Sequence, residues 1–589
     1  MNERASMEMD IVCVGFGPAT GGFLTKLAPM LAELDPQPQV MCCERADGLG
    51  FGVSGVVTKA RGIRQSFPTL DPAAIPMAAP VANEKVLYLL DPIGASRRSF
   101  ALRSIDRTLT AFGRPSDFAI ELPWTPGFLH KTGGLVLSIG QFNQWVGEQL
   151  MSSGAVQVWP SMPVAQPLIE EDRVIGVRLA DQNGEPGMDI HAALTVVADG
   201  PVGPVGRALD RHFGVPRRFD RNDWAVGSKM VIELPPDSPL APGTVIHTLG
   251  FPEPEIFGFL YVHPGGLASA GIFVPSWLDS PVRTSYRYLQ HFIQHPYLWR
   301  WLKGGRLRSW GAKSLLESGR RGEPRLVGDG YARIGEGSGS TNVLTGSGVD
   351  EAWTTGIQLA EGVIELLREK APFTRENLKR AYVDRRRKSW VEDEARIAED
   401  ARNGFRRGFL SGLLGMGIAG ITRGYITVHG ESYAPHRRVK VLETYYGDRF
   451  TAAQLQRIRH QAREAAVPLH DLVMDGLGWP AIQHDGALLV SHQDALLMGG
   501  KVQGAAGFAD HVVFRRPDLC ATCGTKLCVE MCSGEAIARN PEGGPPVFDR
   551  EKCVHCGACL WNCLHSLGSG HGTNIDFRAG GGGLHSAEN

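Results

Sequence analysis

Eight of the chain's eleven cysteines fall between Cys520 and Cys563. Cys520, Cys523, Cys528 and Cys532 are spaced C-x2-C-x4-C-x3-C, and Cys553, Cys556, Cys559 and Cys563 are spaced C-x2-C-x2-C-x3-C. Thiolates in two linked quartets are the pattern of a bacterial two-cluster ferredoxin, in which the fourth cysteine of each run ligates the cluster of the other run. The spacing therefore predicts one [4Fe-4S] site from Cys520, Cys523, Cys528 and Cys563, and a second from Cys532, Cys553, Cys556 and Cys559. A pair of zinc sites is the alternative reading of the same eight residues. The proline that usually follows the fourth cysteine is missing: Ser533 and Leu564 stand there.

The rest of the chain is an ordinary globular mixture. Its 589 residues, 43% hydrophobic and 21% charged, suggest two to four domains. A formal net charge of −1 offers nothing to a polyanion, so no nucleic-acid partner is expected. The N-terminus, MNERASMEMD, lacks the basic start and cleavage site of a signal peptide. A reducing cytoplasm is the default reading, and there clustered cysteines hold metal more often than they form disulfides.

At the N-terminus, IVCVGFGPATGGFLTKL reads as strand, Gly-rich turn and helix. Small residues at Gly15 and Gly17, with Pro18 and Ala19, let a pyrophosphate approach the free N–H groups of a helix N-terminus. The next strand, QVMCC, leads into Glu44 and Arg45, with Glu44 suited to accept hydrogen bonds from a ribose. Thr20 stands where a third glycine is usual, which predicts a slightly shifted helix. An ordinary tight strand-to-helix turn is the plainer reading of this motif alone. Cys42 and Cys43 read as buried strand residues rather than reactive thiols. Two later strand ends repeat the theme, Asp199-Gly200 and Gly335-Glu336-Gly337, and Gly346 and Gly348 open a long helical segment. Three Gly-rich strand ends this far apart suit FAD better than NAD.

Several segments together resemble the electron transfer flavoprotein (ETF)–quinone oxidoreductases, within the larger para-hydroxybenzoate-hydroxylase-like group of FAD enzymes. These are GFGPATGG, CCERADGLGFGVSGVV with Ser54 and Gly55 on the flavin side, GGLVLSIGQFNQWVGEQL, GGRLRSWGAKSLLESG, RIGEGSGSTNVLTGSGVDEAWTTG and the tail GTNIDFRAGGGG. The resemblance spans about 10–420 and 480–589; 80–120 and the helical-looking 451–466 have no counterpart in it. It implies a single cluster held at positions matching Cys532, Cys553, Cys556 and Cys559, which makes the other quartet an addition. The whole resembles the flavoprotein and ferredoxin-like subunits of electron-bifurcating ETF complexes fused into one chain.

The predicted architecture is thus α/β and α+β. A Rossmann-like FAD domain (8–80, 130–220 and 315–400) is interleaved with a β-rich domain facing quinone and membrane (81–129 and 221–314). An interfacial helix (401–430), a connecting region (431–510) and a ferredoxin-like two-cluster module (511–589) follow. Gly408–Thr422 carries no charge, is shorter than the roughly 20 residues of a spanning helix, and is flanked by Arg406, Arg407 and Arg423. The resemblance places a membrane contact here and a second at ELPWTPGFLH, with Trp124 and Phe128 at the interface. A buried core helix and an ordinary aromatic loop are the alternative. The expected protein is peripheral on the cytoplasmic face of a bacterial inner membrane. It passes electrons from an ETF or similar protein donor through two [4Fe-4S] clusters and FAD to a membrane quinone. The sequence singles out no acid–base residue. A flavin-dependent reductase of a small polyprenyl-type substrate and a non-catalytic electron-transfer subunit remain as alternatives.

Overall fold

Four strands run parallel and in register at the centre of an eight-stranded sheet: Ser6–Val14, Val40–Cys43, Asp189–Val197 and Tyr331–Arg333. The first three bury mainly Ile, Val, Leu and Cys on both sides, with Met41 and Thr195 among them, the composition a parallel strand needs when helices cover both faces. A computed structural model describes residues 4–50, 55–112, 116–180, 187–428, 430, 433–465, 467–498, 510–565 and 573–578. Cys13, Cys42 and Cys43 are buried strand residues, and burial pushes their thiols well up. An antiparallel pair, Val164–Glu170 and Arg173–Leu179, extends this sheet from the 189–197 strand.

Helices Pro18–Leu31 and Val349–Arg368 cross on one face of the sheet at very short range. A methyl group added to Gly356 would lie 2.0 Å from the Ala19 carbonyl oxygen, and one on Gly22 would lie 2.4 Å from the Trp353 carbonyl oxygen. Gly21 and Gly22 thus make room for the fully buried Trp353. Thr20, in the place of the third glycine, is fully buried and donates its hydroxyl to the Gly15 carbonyl at 2.6 Å. The close approach that a third glycine would give is made one and two residues later, helix to helix.

The second sheet has seven strands in the order 306–316, 224–233, 267–275, 257–263, 244–249, 83–89 and 119–121. Segment 80–120, unplaced by resemblance, supplies strand Asn83–Leu89, helix Phe100–Phe112 and leads into edge strand Ala119–Glu121. Helices Tyr286–Ile293 and Pro296–Leu302 pack on this sheet, and Trp479, Leu488, Leu489 and Val490 join the same core. Segment 451–466 contains the helix Ala452–Glu464, started by a reciprocal cap between Thr451 and Gln454.

The chain closes with strand Val512–Phe514, helices Pro517–Thr522 and Leu527–Glu530, strands Ile537–Ala538 and Val547–Phe548, helix Ala558–Trp561 and strand Ile575–Phe577. The first strand pairs with the last and the two middle strands pair with each other, all antiparallel. Among the described residues no helix is long and apolar enough to cross a membrane.

Gly356→Ala should lower the unfolding free energy by about 1–3 kcal/mol, because backbone atoms of another helix must move. Gly417→Ala, whose added methyl meets nothing within 4 Å, should raise it by up to ~1 kcal/mol. Urea unfolding of the two variants gives both signs.

Candidate flavin and thiol site

Register carries three distant segments to one place. Val14 pairs with Val197, and Val197 with Arg333, so the turns that follow all open at the same sheet edge. They touch there. An added methyl on Gly15 would lie 2.9 Å from the Ala198 oxygen, on Gly335 2.9 Å from the Ala19 side chain, and on Gly337 2.6 Å from the Gly200 oxygen. Gly15, Gly200 and Gly335 all adopt positive φ, of 88°, 74° and 71°. Nothing lies within 4 Å of an added methyl on Gly17 or Gly200, so the backbone is open to a ligand at both points. Gly17 caps the first helix, with Pro18 at its first position and Ala19 buried behind it.

Glu44 sits beside this edge. Its carboxylate accepts hydrogen bonds from the Phe16 N–H at 2.7 Å and the Ala46 N–H at 3.0 Å, which fixes its orientation and leaves lone pairs for a hydroxyl. Asp199 accepts from the Val205 and Gly206 N–H groups at 2.8 and 3.0 Å, so it caps helix Pro204–Phe213. Glu336 accepts from the Leu316 N–H at 2.7 Å; burial holds its carboxyl up at about 7, against that bond and the pull of Lys313 and Arg221. Gly55, at φ 85°, meets the second sheet: an added methyl would lie 2.3 Å from the Ser269 side chain, and Lys229 donates to the Gly55 carbonyl at 2.9 Å. Ser54 lies outside the described residues, as do the glycines after Arg578. Gly346 takes φ 63° beside Leu129, and Gly348 caps the 349–368 helix.

The cysteine region docks on these turns. Gly557 rests on Val202, two residues past Gly200. Ser314 donates its N–H to the Cys556 carbonyl at 3.0 Å, and Trp561 donates to the Ser314 hydroxyl at 2.9 Å while its ring stacks on Trp224 at 5.8 Å. Arg207 donates to the Phe577 carbonyl. Arg45 lies within electrostatic reach of both Glu44 and Cys553.

The thiols divide by the charges they sense. Among the thiols, Cys528 senses Cys563, Cys523 and Cys520 ahead of Cys532; Cys520 senses Cys563 ahead of Cys523, with Lys526 and Asn574 between them; Cys563 senses Cys523, after backbone hydrogen bonds at His565 and Asn574. Cys559 is affected most by Cys556, Cys532 and Cys553, and Cys553 by Cys532 and Cys556. Burial is the leading cause in each case and pushes these thiols up. Several sulfurs have donors: Asn574 to Cys520 and Ala536 N–H to Cys532, both at 3.2 Å, and His555 N–H to Cys553 at 3.4 Å. Among the described residues, no three Cys, His, Asp or Glu side chains close around a single metal ion.

No family profile matches the chain. The chain is similar to the ETF–ubiquinone oxidoreductase of Pseudomonas aeruginosa, 26% identical over 410 residues, covering 67% of this chain and 69% of that one. It is similar to the mitochondrial enzyme of Bos taurus, 27% identical over 426 residues, covering 68% and 64%. Over about two thirds of its length the chain is thus similar to ETF–ubiquinone oxidoreductases. About a third of each of these relatives lies outside the match. In fold it is similar to a geranylgeranyl bacteriochlorophyll reductase-like protein of Thermoplasma acidophilum, with TM-score 0.50, 16% identity, and coverage of 75% of this chain and all of the other.

The resemblance to this family does not point to three buried groups beside the site. Burial brings Lys229 down to about 8. Lys131 and Glu351 are each 2% exposed. Glu351 lies in the helix's first turn, where an acid is accounted for by the helix dipole alone, so the sequence gives no reason to single it out.

Proposed function

We propose that this oxidoreductase takes electrons from a protein donor, an ETF or similar carrier, and delivers them through two [4Fe-4S] clusters and FAD to a membrane quinone. The observation that carries the reading is the meeting of three glycine turns at one sheet edge with the thiol region docked upon them. In this reading the N-terminal end of the 18–31 helix and the Gly335–Gly337 turn receive the pyrophosphate, and Glu44 receives the ribose. FAD, when bound, joins one-electron donors to a two-electron acceptor. The chain's own part is to hold the cofactors close, exclude water and fix their orientation.

The partition of the thiols supports the crossed grouping, and the lack of three ligands closed around one point among the described residues favours clusters over zinc. Zinc needs its ligands within about 2.3 Å of one ion, whereas a cubane keeps its four thiolates apart. The strand and helix order of 512–577 is compatible with a ferredoxin-like module, and its position over Val202 and Ser314 suits an electron entry fused to the flavoprotein.

The membrane reading rests on helix Phe409–Ile421, which is built inside out. Phe409, Gly412, Gly415 and Ala419 are buried, while Leu414, Ile418 and Ile421 are 68%, 43% and 85% exposed. Tyr425, Ile426 and Trp124 continue the exposed apolar surface. Two details differ from expectation. Phe128 packs against Gly420 rather than facing out, and Arg406 turns to Asp223 at 3.8 Å, which leaves Arg407 and Arg423 exposed for headgroups.

Anaerobic stopped-flow tests the whole: a protein donor should bleach the flavin, and a soluble quinone should restore it. Flavin that stays reduced with quinone present, or turnover of a prenyl double bond without it, would overturn the reading. Cys563→Ala should lower iron from about eight to about four atoms per chain while FAD is retained; low-temperature EPR should lose the signal of the 520–528 site alone. Leu414→Glu with Ile418→Glu should leave thermal unfolding near wild type and abolish flotation with anionic vesicles; unchanged flotation would remove this helix as the anchor.

A further inference from the structure

In each group of thiols a buried side-chain nitrogen is directed at a sulfur. His511 stands just before strand Val512–Phe514 and is fully buried, with its Nε2 3.2 Å from Cys553 Sγ. Asn574 stands just before the paired strand Ile575–Phe577 and is also fully buried, with its amide nitrogen 3.2 Å from Cys520 Sγ. The His511 carbonyl accepts from the Arg578 N–H at 2.7 Å, and the Asn574 carbonyl from the Arg515 N–H at 2.9 Å. The two residues therefore close opposite ends of one antiparallel ladder, about 13 Å apart along the strand.

Geometry decides which atoms carry the hydrogens. Asn574 Oδ1 accepts from the Arg516 N–H at 2.8 Å, and a backbone N–H can only donate, so the other branch of the amide is the NH2. One of its hydrogens goes to the Arg516 carbonyl at 2.9 Å, and the second is left for Cys520. A thiolate that ligates iron carries no proton, so at Cys553 the hydrogen belongs to the His511 ring. Nδ1 of that ring is buried with no hydrogen-bond partner among the described residues, which suits a bare lone pair and the neutral form protonated at Nε2. Neighbouring rings fix its plane: His555 stacks on it at 4.1 Å, and Phe548 and Phe577 meet it edge-on at 5.0 and 5.8 Å.

We propose that His511 and Asn574 are positioning residues that set the reduction potentials of the two clusters, His511 for the site of Cys532, Cys553, Cys556 and Cys559, and Asn574 for the site of Cys520, Cys523, Cys528 and Cys563. This rests on the cluster reading above. An electron arriving from the protein donor adds negative charge to the thiolates of the site it enters. An N–H aimed at one of those sulfurs stabilises the added charge, so it makes that site easier to reduce. One electron passes and no proton moves; the N–H bonds of His511 and Asn574 stay intact in both states. Each donor belongs to one site, so the two potentials are set independently. The backbone N–H groups of Ala536 and His555 also reach Cys532 and Cys553, but those come with the fold, whereas the two side chains can be exchanged.

Anaerobic potentiometric titration of the holoprotein, followed by low-temperature EPR, tests the assignment. His511→Leu should lower the midpoint potential of one cluster signal and Asn574→Leu that of the other, each by about 59 mV, a tenfold change in the equilibrium constant of a one-electron couple. Cys563→Ala, which should keep the 532–559 site, identifies the two signals. His511→Gln, which returns an N–H near the Nε2 position, should stay close to wild type. Iron should remain at about eight atoms per chain in the His511 and Asn574 variants. In wild type, labelling histidine with heavy nitrogen should change the nitrogen hyperfine pattern of the 532–559 signal alone, a reading that needs no substitution. Unmoved potentials in iron-loaded variants, an equal fall of both signals in one variant, or a 532–559 signal blind to the label would overturn this assignment alone. Wild-type protein that takes up zinc and no iron would overturn the cluster reading and the assignment with it.

Discussion

Parallel pairing of strands 6–14, 189–197 and 331–333 is the constraint on which the rest depends. Parallel neighbours end at the same edge, so residues far apart in the chain deliver their turns side by side. Each turn then needs a residue without a Cβ at the point where it meets the next, and Gly15, Gly335 and Gly337 occupy those points. The helices beneath are held by the same device, since Gly22 and Gly356 let backbones approach within contact of each other. The proposed flavin cradle is therefore a property of the sheet register and of backbone proximity, with few side chains involved.

The second sheet meets the first through single contacts of high consequence. Lys229 reaches from strand 224–233 to the Gly55 carbonyl, and the Leu316 N–H at the end of strand 306–316 donates to Glu336 in the third turn. The second spans the boundary between the two sheets, and the first ties the β-rich sheet to the segment leading into strand Val56–Thr58, so a shift of the β-rich sheet would be felt at the turns. Buried Lys229 and Glu336 each lose part of their preference for the charged form on burial, which makes this boundary a region of low polarity.

Much of this is legible in the sequence, and the exceptions have physical causes. The turns at Gly15, Asp199-Gly200 and Gly335 can be read because glycine directly after an apolar run most often marks a tight turn. The helix at 452–464 can be read from its polar periodicity and its Thr451 cap. The orientation of helix 409–421 cannot: every residue is apolar or small, so no moment distinguishes Leu413, which packs inward, from Leu414, which does not. Phe128 escapes for a related reason, since an aromatic residue at an interface and one packed on a glycine look alike in one dimension.

Strand 306–316 is the outer strand of its sheet, a position whose unpaired N–H groups would ordinarily recruit a foreign strand. Here three separate parts of the chain occupy it: Ala487 accepts from Leu307, Cys556 from Ser314, and Glu336 from Leu316. The thiol loop therefore also serves as a shield. A chain whose thiol loop failed to fold would bare the strand around Ser314 and open it to edge-to-edge aggregation.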